Sequence, residues 1–319
     1  MGRKITDIMI LFASTLNQTA YLFTLIIVGY LLTKLRILPE NSSAVLSKLE
    51  TWIFIPMMVF ESFSSNFAPS RLSGAKELLL VSTCLIIVTL PIGFLVSRIM
   101  TKDSDMRKTY YYNFVFPNSG FMGYAVVKAL FPELFFEFVL FCIPYSIITY
   151  LWAIPALIIP SEHTESKPTI VSSLKSLCNP MFVAMIIGML VGLSGIKLPV
   201  FFSTAVAALS ASMSPIAMLI TGVIVGGINL KRAFTDVKAY ITSIIRLIVI
   251  PLAFIMISWL LPLSQTAYIC IISFLAMPIG LNTIVIPSGY GKDTSKAAGM
   301  IVISHLLGCI TIPLLFLLV

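Results

Sequence analysis

Charged side chains are scarce in this chain: aspartate, glutamate, lysine and arginine make up 11% of its 319 residues, against 58% hydrophobic residues. A soluble domain carries roughly twice that charged fraction. The scarcity excludes an ordinary water-soluble domain and makes the lipid bilayer the expected surroundings of the chain. The net charge of +8 is then assigned to loops that set membrane orientation, and not to a nucleic-acid-binding surface.

Sequence signatures of catalysis and of metal binding are also missing. The five cysteines lie apart from one another without a CxxC pair or a histidine cluster, so neither a zinc site nor a disulfide framework is expected. An intramembrane enzyme would need paired aspartates, an HExxH motif or a serine and a histidine within reach. Ser304 and His305 are adjacent on one helix and do not face each other. We therefore expect no cofactor, no metal, no nucleic-acid partner and no enzymatic activity.

Long apolar runs dominate instead. A transmembrane helix needs about 20 apolar residues, and such runs recur along the whole chain. The first run follows Arg3 and Lys4 as in a signal peptide, but a second run comes directly after it, so we expect the segment to be retained. The sequence predicts an all-α membrane protein with ten spans, at 16–35, 44–64, 75–99, 108–130, 134–159, 174–195, 200–228, 238–261, 265–290 and 295–318.

The ten predicted spans form two copies of five. Five prolines of the first half recur in the second half after 158–161 residues. Two copies with an odd number of spans face opposite ways across a bilayer, a plan typical of secondary transporters. We predict a first repeat at 1–160, a short cytoplasmic linker at 161–173 and an inverted second repeat at 174–319. The paired prolines are Pro39 with Pro199, Pro56 with Pro215, Pro91 with Pro251, Pro117 with Pro278, and Pro155 with Pro313.

The positive charges predict the orientation. Of the 21 lysines and arginines, fourteen lie on the side of the loops that follow odd-numbered spans, six lie on the other side, and Arg246 lies within span eight. Positive residues favour the cytoplasmic side. We therefore expect both termini on the non-cytoplasmic side of a plasma (inner) membrane.

Spans four and nine each contain a proline among polar residues and glycines. A proline inside a helix has no N–H donor and clashes with the carbonyl four residues earlier, so Pro117 frees the carbonyl of Asn113. In the same way Pro278 frees the carbonyl of Phe274. Freed groups at membrane depth need a protein partner or a water-filled cavity. The alternative is that these prolines only kink packed helices, as we expect of the other pairs, but their polar company at repeat-related positions favours a site.

A broken helix places the N-terminal end of its second half, with open N–H groups, near the membrane centre. Two such ends form a site suited to a carboxylate, and Tyr145 in span five adds an aromatic wall and a hydroxyl. The predicted substrate-binding residues are Asn113, Pro117, Asn118, Ser119, Gly120, Tyr145, Pro278, Gly280, Asn282 and Thr283.

Few other ionisable residues fall inside the spans. Glu61 and Lys128 lie near the outer ends of their helices, where they are expected to extend to the interface. Arg246 either holds an anion in transit or reaches the headgroups, and the second is favoured. His305 is either a hydrogen-bonded core group or a proton-sensitive one, and the first is favoured. No aspartate or glutamate is expected in the middle of a span, so no carboxylate proton relay is indicated.

Several ordered segments resemble the auxin efflux carrier family, and together they cover essentially the whole chain. The short central loop is similar to the bacterial and archaeal branch of that family, which includes malate and other organic-acid permeases. Two departures are Ala125, where many members have proline, and His305, where threonine is usual. The matching segments are Asn118 to Gly123, Asn179-Pro180 through Gly188 to Pro199, Met277-Pro278 with Asn282, Tyr290-Gly291 to Ser304, and Thr311 to Pro313.

The resemblance implies two inverted five-helix repeats whose spans four and nine cross at their breaks. It implies a homodimer through spans one, two, six and seven, and a moving body of spans three to five and eight to ten. By the same resemblance Pro117 and Pro278 are the crossover prolines and Asn118 faces the substrate, with Asn113 one turn before the break.

The leading hypothesis is a secondary transporter that moves a small organic anion, malate-like or auxin-like, by alternating access at the crossing. A sodium-coupled symporter of the related bile-acid-transporter architecture is the nearer alternative, and it would need a cage of oxygens around each break. A passive channel is the alternative from another class.

Overall fold

The computed structural model of the chain describes residues 2–68, 72–159, 178–228, 230–289 and 294–318. Within these residues the chain is almost entirely helical, and an antiparallel bridge between Pro117 and Ile279 is the one β-type pairing. The predicted all-α class is therefore confirmed. In chain order the helices are α1 (Gly2–Lys34), α2 (Ser42–Asn66), α3 (Leu72–Met100), α4 (Ser104–Val115), α5 (119–130), α6 (Pro132–Ile158), α7 (Pro180–Ser194), α8 (Val200–Gly226), α9 (Leu230–Thr235), α10 (Val237–Ser258), α11 (Gln265–Leu275), α12 (Asn282–Gly289) and α13 (Ser295–Phe316).

Seven helices of the described part are long and apolar enough to cross a membrane. Predicted spans four and nine are each divided into two shorter helices, and span six corresponds to the 15-residue helix α7. The total of ten spans and the inverted arrangement of the repeats stay predictions. The seven helices are Leu16–Lys34, Ser42–Asn66, Gly74–Met100, Pro132–Ile158, Val200–Gly226, Val237–Ser258 and Lys296–Phe316.

Prolines widen two of the spanning helices without ending them. Pro56 in α2 and Pro251 in α10 each follow a five-residue π-helical segment, Glu50–Phe54 and Ile245–Val249. A proline cannot donate to the carbonyl four residues earlier, and a wider turn relieves the clash. The first segment contains the buried residue Glu50, and the second contains the buried residue Arg246.

Helix α4 begins at a capped turn in the loop that precedes it. The Asp103 carboxylate accepts hydrogen bonds from the N–H groups of Asp105 (3.0 Å) and Met106 (3.2 Å). The bond from Met106 holds the pKa of this exposed carboxyl below its ordinary value. From this start the 12-residue helix ends at Val115, directly before the first break.

Helices from opposite halves of the chain make the most extensive contacts: α1 packs against α8, and α2 packs against α7. Glycines allow the first pair to approach closely. A Cβ on Gly29 would overlap the carbonyl oxygen of Leu219, and a Cβ on Gly222 would overlap that of Ile26. Helix α3 packs against α4 and α6, and α10 against α13. The two broken helices run between these groups.

Candidate functional site

Two interrupted helices meet in the interior of the protein. One interruption lies between α4 and α5, and the other lies between α11 and α12. The N–H of Asn118 donates to the carbonyl of Pro278 over 2.8 Å. Pro117 forms the antiparallel bridge with Ile279. The two predicted breaks therefore lie in direct backbone contact.

A glycine allows this close crossing. A Cβ on Gly280 would lie 3.3 Å from the carbonyl oxygen of Phe116 and 3.5 Å from that of Pro117. These neighbours are backbone atoms, so a side chain at this position would require the crossing segments to shift by a few tenths of an ångström, and a branched side chain by more. The crossing thus depends on the absence of a side chain at Gly280.

A histidine on α13 supports the first break. The Asn118 side-chain nitrogen Nδ2 lies 3.2 Å from Nε2 of His305, and Nδ1 of His305 lies 2.8 Å from the carbonyl oxygen of Ile301. Because a carbonyl only accepts, Nδ1 carries the proton, and Nε2 of the neutral ring accepts from Asn118. His305 is thus a buried, hydrogen-bonded group, and it orients the predicted substrate-facing asparagine.

A serine next to this histidine supports the second break. The N–H of Ile279 donates to the hydroxyl oxygen of Ser304 over 3.3 Å, and that hydroxyl donates to the carbonyl of Ile301 over 3.0 Å. Two neighbouring residues of α13 therefore each bond to one break: His305 bonds to Asn118, and Ser304 bonds to Ile279.

The second half-helix, α12, starts with a polar pair. Asn282 donates through its side-chain amide to the hydroxyl of Tyr112 on α4, at 2.9 Å. The neighbouring Thr283 turns its hydroxyl back to the carbonyl of Gly280, at 3.0 Å. Asn282 thus ties α12 to α4, whereas Thr283 caps its own turn.

Asn113 lies behind the break and does not reach the cavity. Its side chain is fully buried, and its Nδ2 lies 3.8 Å from the sulfur of Met300. Its Oδ1 has no hydrogen-bond partner among the described residues. The prediction that Asn113 contacts a substrate therefore has no direct geometric support in this conformation.

Arg246 does not reach the headgroups, and the favoured prediction was wrong. Its side chain is 1% exposed, and an Nη nitrogen donates to the carbonyl oxygen of Phe274 over 3.3 Å. This is the carbonyl that Pro278 frees, because the proline has no N–H to donate. The sequence exposes the proline and the arginine separately, but their meeting depends on how α10 packs beside α11.

A cavity of about 470 Å³ lies between the crossing and the pair formed by α2 and α7. Lys48, an exposed residue of α2, is part of its lining, so the cavity opens beside this residue. Thr283 lines a separate cavity of about 320 Å³. The remaining sequence-predicted residues, Asn113, Pro278, Arg246 and His305, stand outside both linings. Those that line the larger cavity are Pro117, Asn118, Ser119, Gly120, Tyr145, Gly280 and Asn282.

Aromatic residues complete this cavity, and the sequence analysis missed most of them. Tyr112, Phe116 and Phe274 line it together with Tyr145. The rings of Tyr145 and Phe274 have centroids 4.2 Å apart, and Phe116 meets Tyr145 edge to face at 6.1 Å. Tyr112, Phe116 and Phe274 each lie within five residues before a breaking proline, and this position was the available signal. Tyr124 also lines the cavity, but it does not precede a breaking proline and could not be identified in this way.

A buried acidic residue about two turns into α2 was not identified from the sequence. Glu50 lies in the π-helical segment of α2 and is fully buried. Neither of its carboxylate oxygens has a hydrogen-bond partner among the described residues, and the hydroxyl of Ser47 one turn earlier also lacks one. Glu50 is not among the ionisable residues singled out from the sequence. Within the described ranges no three His, Cys, Asp or Glu side chains cluster as for a metal ion.

At the opposite end of α5 a lysine contacts two neighbouring helices. Lys128 lies 3.3 Å from Oε2 of Glu61 on α2 and 2.6 Å from the hydroxyl of Ser210 on α8. Ser210 also donates to Glu61. Glu61 and Lys128 therefore form a partly exposed ion pair near the ends of their helices, a contact that the sequence did not predict.

The apolar helices define the class of the protein, an integral multi-pass membrane protein. Residues 14–316 match the family model described as membrane transport protein, so the chain belongs to this family of auxin-efflux-carrier-like transporters. An archaeal protein of Methanothermobacter thermautotrophicus, described as an uncharacterized transporter, is 24% identical over 307 residues, which are 95% of this chain and 98% of that protein. The resemblance seen in the sequence is confirmed, and the family indicates a secondary transporter.

Proposed function

We propose that this protein moves a small organic anion with a carboxylate group across the plasma membrane by alternating access at the crossing. The observation that carries the proposal is that the N-terminal ends of two half-helices, α5 and α12, face one cavity. Such ends combine open N–H groups with the positive end of the helix dipole. This is the arrangement that secondary transporters use for anionic substrate groups.

The first turn of α5 supplies the donors. The N–H of Ser119 bonds to the carbonyl of Pro117 over 2.8 Å. The N–H groups of Gly120 and Phe121 come next and have no partner one helical turn before them, since α5 begins at Ser119. Both residues line the cavity. A carboxylate placed there would accept from two neighbouring amides.

The charges around the cavity favour an anion. Its lining includes the ammonium group of Lys48 and, within the described part of the chain, no aspartate or glutamate. The aromatic rings supply apolar walls for the rest of the ligand. An anion with a small hydrophobic or hydroxylated body fits this chemistry.

Helix pairing supports the inverted repeat and the alternating-access mechanism. The contact of α1 with α8 and that of α2 with α7 are equivalent under an exchange of the two halves, as are the contacts of α3 with α6 and α10 with α13. We propose that α3–α6 and α10–α13 move together against α1, α2, α7 and α8, and that the last four also form a homodimer. We assign the side of Lys48 to the cytoplasm because the positive loops lie there.

Flux through reconstituted protein tests the proposal. Liposomes containing the wild-type chain are expected to take up labelled benzoate or malate faster than empty liposomes, with saturation. Asn118→Ala removes the side chain that faces the cavity, and at least about a tenfold loss of flux is expected for a buried polar contact. Asn17→Ala changes an exposed asparagine of α1 and serves as the matched control with unchanged flux.

Two outcomes would overturn the proposal. One is the absence of saturable carboxylate flux from folded wild-type protein. The other is ohmic single-channel current in a planar bilayer, which would assign the chain to the passive channels. A flux that stops without a sodium gradient would favour the sodium-coupled alternative.

A further inference from the structure

Arg246 carries a charge that the described part of the protein does not balance. It lies in the π-helical segment of α10, and its guanidinium makes one hydrogen bond, to the carbonyl of Phe274. Its Nε has no partner, and among the described residues it forms no ion pair. Burying an unpaired charge costs far more than one such bond returns. A buried arginine of this kind needs a compensating anion.

The helices packed around Arg246 do not supply that anion. The segment 245–249 packs against the rest of α10 and against α13. The ionisable residues of these two helices are Lys238, Lys296 and the neutral His305, together with Tyr240. The ion pair seen among the described residues joins Lys128 to Glu61 and does not involve Arg246. None of these groups neutralises the guanidinium.

The cavity lies one side chain away from Arg246. Phe274, whose carbonyl accepts the guanidinium bond, lines the cavity. Tyr145 also lines it and interacts electrostatically with Arg246. No described residue between them carries a negative charge. The field of the guanidinium therefore reaches a ligand in the cavity through aromatic rings and not through water.

We propose that Arg246 is the fixed counter-charge of the transported anion, so that the guanidinium and a bound monovalent carboxylate together add no net charge to the buried part of the moving body. This inference rests on the proposed function and adds the charge of the substrate to it. One guanidinium balances one carboxylate, which makes the monoanion the preferred substrate class. Arg246 acts through Phe274 and Tyr145, and is therefore a positioning residue that never touches the ligand.

The proposal has an electrical consequence. A net charge that crosses the membrane gains or loses about 2.3 kcal/mol per 100 mV. When the guanidinium and the ligand together add no net charge on both legs of an exchange, the exchange rate is independent of the membrane potential. Without the arginine the charge of the ligand is uncompensated, and the exchange becomes dependent on the potential.

Ligand-induced thermal stabilisation of the detergent-purified chain tests the binding part, with benzoate as the monoanion, malate as the dianion and benzamide as the neutral isostere. The variants are Arg246→Gln, which removes the charge, and Arg246→Lys, which keeps it. Arg98→Gln is the matched control, because Arg98 is exposed and stacks on the ring of Phe94 at 4.3 Å. For Arg246→Gln we expect an affinity for benzoate lower by about tenfold or more, because one attraction between unit charges at an effective dielectric constant of about 20 is lost.

The remaining arms separate charge from structure. Arg246→Lys and Arg98→Gln are expected to retain benzoate affinity within about threefold, whereas a purely structural arginine would not be replaced by lysine. Any weak stabilisation by benzamide is expected to be the same in all four proteins. In liposomes, benzoate exchange by Arg246→Gln is expected to respond to a potassium diffusion potential set with valinomycin, and wild-type exchange is not.

Equal benzoate affinity in wild type and Arg246→Gln would overturn this inference and leave the proposed function standing. So would an Arg246→Lys variant that loses as much affinity as Arg246→Gln. Wild-type protein that is stabilised by none of the three compounds would overturn the proposed function, and the counter-charge with it. If Arg246→Gln fails to fold while Arg246→Lys folds, binding by the lysine variant alone decides the role of the charge.

Discussion

The breaks at Pro117 and Pro278 both arise from a proline inside a helix, but different side chains contact them. The first is held by the side-chain pair of Asn118 and His305 and leads into helix α5, whose first amides face the cavity. The second is held tightly at Gly280, and the carbonyl it frees is bonded by Arg246. In the function proposed above, one break presents donors to a ligand, whereas the other brings a charge close to it.

The largest effect is expected from closing the space at the second break. In Gly280→Val the branched side chain would collide with the backbone of Phe116, and overpacking of this kind costs about 1–3 kcal/mol. Gly120→Val is the comparison at the first break, because nothing lies within 4 Å of a Cβ placed there. Thermal unfolding in detergent is expected to show a lower melting temperature for the Gly280 variant alone. Equal melting temperatures of the two variants would contradict the view that the close backbone contact at Gly280 stabilises the crossing.

An effect of similar size is expected from removing the histidine at the first break. His305→Leu keeps a buried side chain but leaves the amide of Asn118 without its acceptor, and an unpaired buried polar group costs about 1–3 kcal/mol. We expect carboxylate flux to fall about 5- to 100-fold. Ser304→Ala disturbs the second break through Ile279 in the same way, and Leu306→Ala, at a 48% exposed position of the same helix, is the neutral control. Unchanged flux in His305→Leu would contradict the proposal that Asn118 must be oriented by His305 to act on the substrate.

The smallest effect is expected at the far end of α5, away from both breaks. Glu61→Gln removes the ion pair with Lys128, whose side chains are 30–36% exposed, and such pairs contribute at most about 1 kcal/mol. Glu133→Gln changes a second carboxylate beside the same lysine and is the matched control. We expect apparent substrate affinity to change by less than about fivefold, in the Glu61 variant only. A larger change than at His305 would show that the outer contact, and not the crossing, controls the equilibrium.

The sequence alone predicted the features that depend on local chemistry. A proline weakens a helix wherever it stands in the interior, and helices α3, α8 and α13 each contain one without ending. The polar residues and glycines beside Pro117 and Pro278 are what identified these two as breaks without a fold. The same reasoning named Asn118, Ser119 and Asn282, because they directly follow the breaks and start the next helix. Seven of the predicted substrate-binding residues line one cavity in the structure, and their contact with a substrate stays a prediction.

Features that depend on packing between helices could not be predicted in this way. Whether Arg246 faces lipid or the carbonyl of Phe274 depends on the rotation of α10 against α11, and a chain apolar on every side gives no periodic signal for that rotation. Glu50 was missed for the same reason, since only its neighbours in the fold determine that it is buried. Thr283 was placed at the cavity by its position in the sequence, and its hydroxyl turns the other way.

The backbone contact at Gly29 and Gly222 restricts how the protein can change shape. Where two helices touch through main-chain atoms, sliding one along the other by a single residue would place a side chain against a carbonyl group, so α1 and α8 have one register. Relative motion must then occur along a surface made of side chains. The contact of α5 with α8 is such a surface, and Lys128 and Ser210 lie on it. The glycines thereby select the plane along which the transport motion can take place.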